Sequence, residues 1–168
     1  MPSPAAGRGK QVLALYDRAL PEVYGYLLHR CGDATVAEDL TSETFLAAVR
    51  ADDAAPVSVP WLIGVARHKL ADHWRKRSRD ERALVAVGES DETDDPWDSH
   101  LDELRAMDVL RSLGEHHRLA LTLRYVDGLP VRQVASMMDR TVRATEALLV
   151  RARGAFRRSY EAGEEHDD

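Results

Sequence analysis

Between Val87 and Ser99 the chain carries Glu89, Asp91, Glu92, Asp94, Asp95 and Asp98, with no lysine, no arginine and no regular spacing of apolar residues. Such a run repels itself and has too little apolar surface to offset the entropy of folding, so residues 87–100 read as an extended acidic linker. Folding must then happen on either side of it. On both sides apolar residues recur at three- and four-residue steps, the period of a helix, and nowhere alternate as a strand would for more than a few positions. The expected architecture is all-α, with two small helical domains joined by a flexible linker. Residues 11–86 form the first domain and 101–160 the second, with a disordered N-terminus at 1–10 and an acidic tail at 161–168. The length of 168 residues allows one ordinary domain or two small ones.

The helices can be placed individually. Val12, Leu15, Tyr16, Ala19, Val23, Tyr26 and Leu27 mark a first helix from Gln11 to Arg30, bent at Pro21. Gly32 is its stop, and Asp33 or Thr35 can cap a second helix bearing Val36, Ala37, Leu40, Phe45, Leu46 and Val49. Two prolines and two aspartates between Ala51 and Pro60 break the pattern, and a third helix starts near Pro60 or Trp61. After the linker, periodicity resumes at Leu101, Leu104, Met107, Val109, Leu110 and Leu113, and again from His117 to Val126.

Net charge is −6, which argues at first against a nucleic-acid partner. The acids, however, are concentrated between Glu89 and Glu103 and after Tyr160, leaving basic segments elsewhere. Cys31 is the only cysteine, so no disulfide or thiolate zinc cage forms within one chain, and a reducing cytoplasm fits best. No apolar run approaches the roughly 20 residues of a membrane span, and Met1 to Lys10 lacks the apolar core of a signal peptide, so no membrane insertion is expected. His29, His68, His73, His100, His116, His117 and His166 show no metal-ligand spacing, and no glycine-rich phosphate loop occurs. The chain is therefore read as a non-enzyme, with no catalytic residues, no metal and no cofactor.

Two segments carry chemistry. Asp127-Gly128-Leu129-Pro130 ends one helix and starts another, Val131 to Met138 is short, and after Asp139-Arg140-Thr141 a longer helix follows. That helix places Val142, Thr145, Leu149, Ala152 and Phe156 on one side, with Arg143, Arg151, Arg153, Arg157 and Arg158 around the rest. This is the outline of a helix-turn-helix, with Ala135 small where the helices cross. The same pattern also suits two amphipathic helices in an ordinary bundle with a solvated arginine face.

The third helix mixes aromatic and basic residues. Arg67, Lys69, Arg75, Lys76, Arg77, Arg79 and Arg82 stand against Asp72, Asp80 and Glu81, a net of +4. Rings among cations suit unstacked bases, since a ring stacks on any base while Lys and Arg follow the backbone. Trp61 and Trp74 can equally be core, the weightier reading for Trp61 because Trp is highly buried on average.

Taken in order, these segments resemble the extracytoplasmic function (ECF) sigma factors of bacterial RNA polymerase, from about Leu13 to Arg158. The resemblance rests on Ala37 to Phe45, Trp61 to Arg75, Leu121 to Leu129 and Arg151-Ala152-Arg153. It implies a first domain of the sigma region 2 type and a second of the helix-turn-helix, winged-helix-like region 4 type. Asp39, Leu40, Thr41, Ser42 and Glu43 would dock on the clamp helices of the largest subunit of core RNA polymerase, with Phe45 supporting them from the core and the flap as a further contact. The loop Ala51 to Pro60 would hold a flipped base and melted strand of the minus-ten element, together with Trp61, Arg67, His68, Lys69, Asp72, His73, Trp74, Arg75, Lys76 and Arg77. Extruding a base costs a few kcal/mol, which those contacts must offset. Arg140, Thr141, Arg143, Ala144, Ala147, Leu148 and Arg151 would read the minus-thirty-five element of promoter DNA as duplex. The linker would thread polymerase channels as a polyanion mimic, and Leu and Val faces on both domains would receive an anti-sigma factor.

Three departures stand out. Leu113-Gly114-Glu115 replaces the Leu-Pro-Glu of many members. Glu146 and Leu148 stand where members often place Lys or Arg, implying fewer or different minus-thirty-five contacts, with Glu accepting from a cytosine amino group and Leu packing on a thymine methyl. The sequence also runs only a few residues past Tyr160, so the additional C-terminal domain of some members is not expected. A stand-alone helix-turn-helix regulator is the rival reading, and it leaves the aromatic-basic helix without a role.

Overall fold

The computed structural model describes residues 4–52, 55–82 and 102–164, and among them every regular element is helical. The acidic run at 87–100 and the last residues of the acidic tail lie outside the described residues. The chain divides into two compact units between Asp72 and His73.

In the first unit, α1 (Pro4–Cys31) and α2 (Ala34–Arg50) pack side by side, followed by the start of α3 (Val59–Arg82). Helix α1 begins at Pro4, so the disorder expected up to residue 10 does not hold for residues 4–10. Buried Arg8, four positions ahead of buried Val12, extends the inward-facing side of the helix by one turn. Pro21 is exposed and the helix continues unbroken through it.

The connection to α2 follows the sequence. Gly32 takes a φ of 67°, the left-handed conformation a side chain disfavours, and its N–H donates to Leu28 O at 2.8 Å. The Asp33 carboxylate accepts from Val36 N at 3.2 Å and caps α2. The tight turn makes the helices antiparallel, as the pairing of Tyr16 with Phe45 and of Arg8 with Ala48 shows. Ala19, Val23 and Leu27 meet a core completed by Ala37, Leu40, Phe45 and Ala48, with Leu62, Ala66 and Leu70 of α3 also buried. Leu46 and Val49, expected inside, are exposed, Leu46 at 53%. The buried arc of α2 runs through residues 37, 40, 41, 44, 45 and 48 and leaves them on its far side. Ser58 starts α3 by accepting from Trp61 N at 3.3 Å, with Pro60 in the first turn.

The second unit contains α4 (Glu103–Ser112), α5 (Glu115–Leu121), a π-helical stretch (Thr122–Val126), α6 (Val131–Met137) and α7 (Val142–Glu164). It also takes in the end of α3 from His73 onward. Asp102 caps α4 by accepting from Leu104 N at 3.0 Å. Met107 and Leu110 face inward, but Leu104, on the expected apolar period, is 78% exposed. Tyr160 ties α7 to the start of α4: its hydroxyl accepts from Asp102 N at 3.2 Å and its ring lies 4.3 Å from the Arg105 guanidinium. The core is built from Leu119, Leu121, Leu123, Val134, Ala135, Leu148, Leu149, Ala152 and Phe156.

The sequence reading gives a plain helix from His117 to Val126. Instead it widens after Leu121 into a π turn, in which Asp127 N reaches back five residues to Thr122 O at 2.9 Å. Gly128, at a φ of 68°, and Pro130 then end one helix and begin the next as expected.

Candidate functional site

The turn from α6 to α7 is closed by backbone geometry. Arg140 N donates to Ala135 O at 2.9 Å and Asp139 N to Ser136 O at 3.2 Å, the paired hydrogen bonds of a Schellman cap. Asp139 occupies the position usually given to glycine, with a φ of 53°, and Asp is among the few side chains that tolerate it. Two residues later Thr141 Oγ1 accepts from Ala144 N at 3.1 Å and caps α7. A helix-turn-helix results, with buried Ala135 where α6 and α7 approach.

The register of α7 sorts its predicted readers. Arg143, Ala147 and Arg151 are exposed along one face with Glu146 beside them, and capping Thr141 is exposed at the start. Ala144 is half-buried. Leu148 does not belong to the set. It is 3% exposed and lies in the core with Leu149, because the buried positions 145, 148, 149, 152 and 156 form one continuous arc. Val142, expected on that arc, is 40% exposed at its N-terminal end.

Arg140 is half-buried, with Nη2 3.4 Å from His116 Nε2, which accepts when unprotonated. Neighbouring His117 is half-buried, and burial first, then the charges of Arg151 and Arg158, hold its pKa below the ordinary 6.5. Arg153 is committed to Tyr125, donating to its hydroxyl at 2.8 Å.

On α2 the predicted docking residues also divide. Asp39, Ser42 and Glu43 are exposed together with Glu38. Leu40 and Thr41, by contrast, are both buried, and the Thr41 hydroxyl donates back to Ala37 O at 2.6 Å. Exposed Leu46 lies one turn beyond Ser42 and Glu43 and completes the face in their place, an apolar residue that the sequence reading put inside. Phe45 supports the segment from the core, its ring 5.0 Å from Tyr16.

Along α3, His68, Asp72, Lys76 and Arg77 are exposed, while Trp61, Arg67, Lys69, His73 and Arg75 are half-buried. The two tryptophans, each named for the minus-ten strand with the core as the competing reading, part company here. Trp61 keeps part of its surface open, whereas Trp74 is 2% exposed and belongs to the core of the second unit. The Arg118 guanidinium, itself buried, lies 4.6 Å from the Trp74 ring, and Arg77 pairs with Glu115 at 3.3 Å. Trp74 therefore offers no open face to a base in this structure. Among the described residues no helix is long and apolar enough to cross a membrane.

Two family models match the chain in order, Sigma-70 region 2 over residues 15–80 and Sigma-70, region 4 over residues 103–156. The ECF RNA polymerase sigma factor SigL of Mycobacterium tuberculosis is 32% identical, over 88% of this chain and 89% of its own length. The chain belongs to the ECF sigma factors. Among this family, BldN of Streptomyces coelicolor is 35% identical over 88% of this chain, which spans 59% of BldN. The fold is that of the sigma factor RpoE solved in complex with the anti-sigma factor NepR from Bartonella quintana, at a TM-score of 0.53 and 20% identity over 89% of this chain and 95% of that one. A stand-alone helix-turn-helix regulator leaves the region 2 match unexplained.

Proposed function

We propose that this ECF sigma factor works in the cytoplasm as the promoter-reading subunit of RNA polymerase, each unit meeting a different form of DNA. The carrying observation is that one chain joins a region 2 match to a region 4 match whose reader helix leaves Arg143, Ala147 and Arg151 exposed behind a capped four-residue turn. The exposed stripe of Asp39, Ser42, Glu43 and Leu46 suits a basic helical partner with an apolar centre, the chemistry assigned here to core polymerase. Partly open Trp61, with Arg67, His68, Lys69 and Lys76, takes the melted minus-ten strand. The face of α7 takes the minus-thirty-five duplex in the major groove, and Glu146 favours a cytosine amino group there. Exposed Leu13 and Leu46 on one unit and Leu104 on the other are apolar surfaces for an anti-sigma factor.

In vitro transcription with core polymerase and genomic fragments tests the reading. Addition of the chain should start RNA at discrete sites that share spaced minus-thirty-five and minus-ten elements. Core enzyme that gains no new start sites would sink the proposal.

A further inference from the structure

Arg8 stands outside every segment the function draws on, yet it is 8% exposed. A buried guanidinium is costly unless its donors are used, and this one reaches three separate pieces of the first unit. Its Nε donates to Ala48 O at 3.1 Å, in the last turn of α2. Its Nη1 donates to Ala55 O at 3.0 Å, in the connection that leads to α3. Its Cζ lies over the Trp61 ring, 4.6 Å from the centroid, in the first turn of α3.

The chemistry is specific to arginine. The last carbonyls of a helix have no partner within it, so a cation at Ala48 O closes the end of α2 and favours its dipole. The planar fork spans two acceptors and stacks on a ring at once, which a lysine ammonium does not. The backbone at Ala55 and the ring of Trp61 are thus held in fixed relation to α2 by a side chain from near the start of the chain.

We propose that Arg8 is a positioning residue for minus-ten recognition, holding the 55–58 segment and Trp61 in the arrangement that receives the extruded base. The inference rests on the reading of that segment as the minus-ten reader. With Arg8 in place, the ordering of the segment is complete before DNA arrives, and base contacts need not supply it.

The test uses holoenzyme reconstituted from core polymerase and the full chain, on promoters carrying each of the four bases at each minus-ten position. Open-complex formation is measured for wild type, Arg8→Ala, Arg8→Met and Arg8→Lys, beside their unfolding midpoints. Arg8→Met keeps an apolar stem over Trp61 and removes the donors, so it tests the idea even where Arg8→Ala folds poorly. Loss of positioning should shrink the ratio between best and worst base about tenfold in Arg8→Met. The effect of minus-thirty-five substitutions should stay as in wild type, and Arg8→Lys should recover part of the ratio. An unchanged ratio in Arg8→Met overturns the proposal. So does a uniform fall on all promoters that tracks a lowered midpoint, which is the mark of a structural role alone. Wild-type holoenzyme that starts transcription but is indifferent to minus-ten bases refutes the underlying reading instead, and the inference with it.

Discussion

Helices α3 and α7 are both long, amphipathic and basic, but they are fixed in place differently. The start of α7 is set by neighbours in sequence: the Schellman bonds of Asp139 and Arg140 and the Thr141 cap all lie within a few residues of it. Helix α3 has a local cap at Ser58, but its aromatic residues are held by distant arginines, Arg8 on Trp61 and Arg118 on Trp74. A sequence count of cations and rings treats the two helices alike. In the structure Arg143 and Arg151 of α7 are exposed, whereas Trp74 of α3 is part of a core.

The strongest challenge to that contrast is Trp74→Ala. A buried Trp is expected to cost about 3–5 kcal/mol on truncation, read by urea denaturation, and a change below 1 kcal/mol would return Trp74 to the pool of stacking platforms. Next, Leu148→Ala should cost about 2–4 kcal/mol of stability. The exposed Arg143→Ala should instead stay within about 0.5 kcal/mol in stability while weakening minus-thirty-five duplex binding and, for a phosphate contact, lowering the log-log salt slope by about one. If Leu148→Ala is as stable as Arg143→Ala, the register of α7 is wrong. Thr141→Ala should cost about 1 kcal/mol through loss of the cap. Thr141→Asn, which keeps a capping side chain, should restore most of it.

The smallest effect concerns pH. His117 has a pKa below its unfolded value because burial and the Arg151 and Arg158 charges disfavour the imidazolium. The unfolded chain therefore binds the proton more readily, so this contribution to stability is complete above about pH 6.5 and is lost as pH falls below it toward the depressed folded value. Denaturation midpoints taken from pH 7.5 to 5.5 should fall less steeply in His117→Gln than in wild type.

Local signals were the legible ones. Gly32, Asp33, Gly128 and Pro130 act through their own backbone preferences, and each does in the structure what the residue type dictates. The boundary between inside and outside was less legible, because a helical period shows which residues share a face but not how wide the buried arc is. Leu148 fell inside that arc and Leu46, Val49 and Leu104 outside it. Arg8 had a faint signal, its four-residue step to Val12, but an arginine in a segment rich in glycine and alanine gives no hint that its partners are carbonyls far along the chain. The π turn left no mark, since Thr122 to Val126 contains residues that also suit an ordinary helix.

That wide turn holds slack. A π turn contains one residue more than the α turn it replaces, so deleting a single amino acid between Thr122 and Val126 could be absorbed by a return to ordinary winding. The same deletion inside α7 would swing every later side chain by about 100° around its axis, carrying Arg151 away from Arg143. Variation in chain length is therefore expected to collect at the π turn before Gly128 and to spare α7 beyond it.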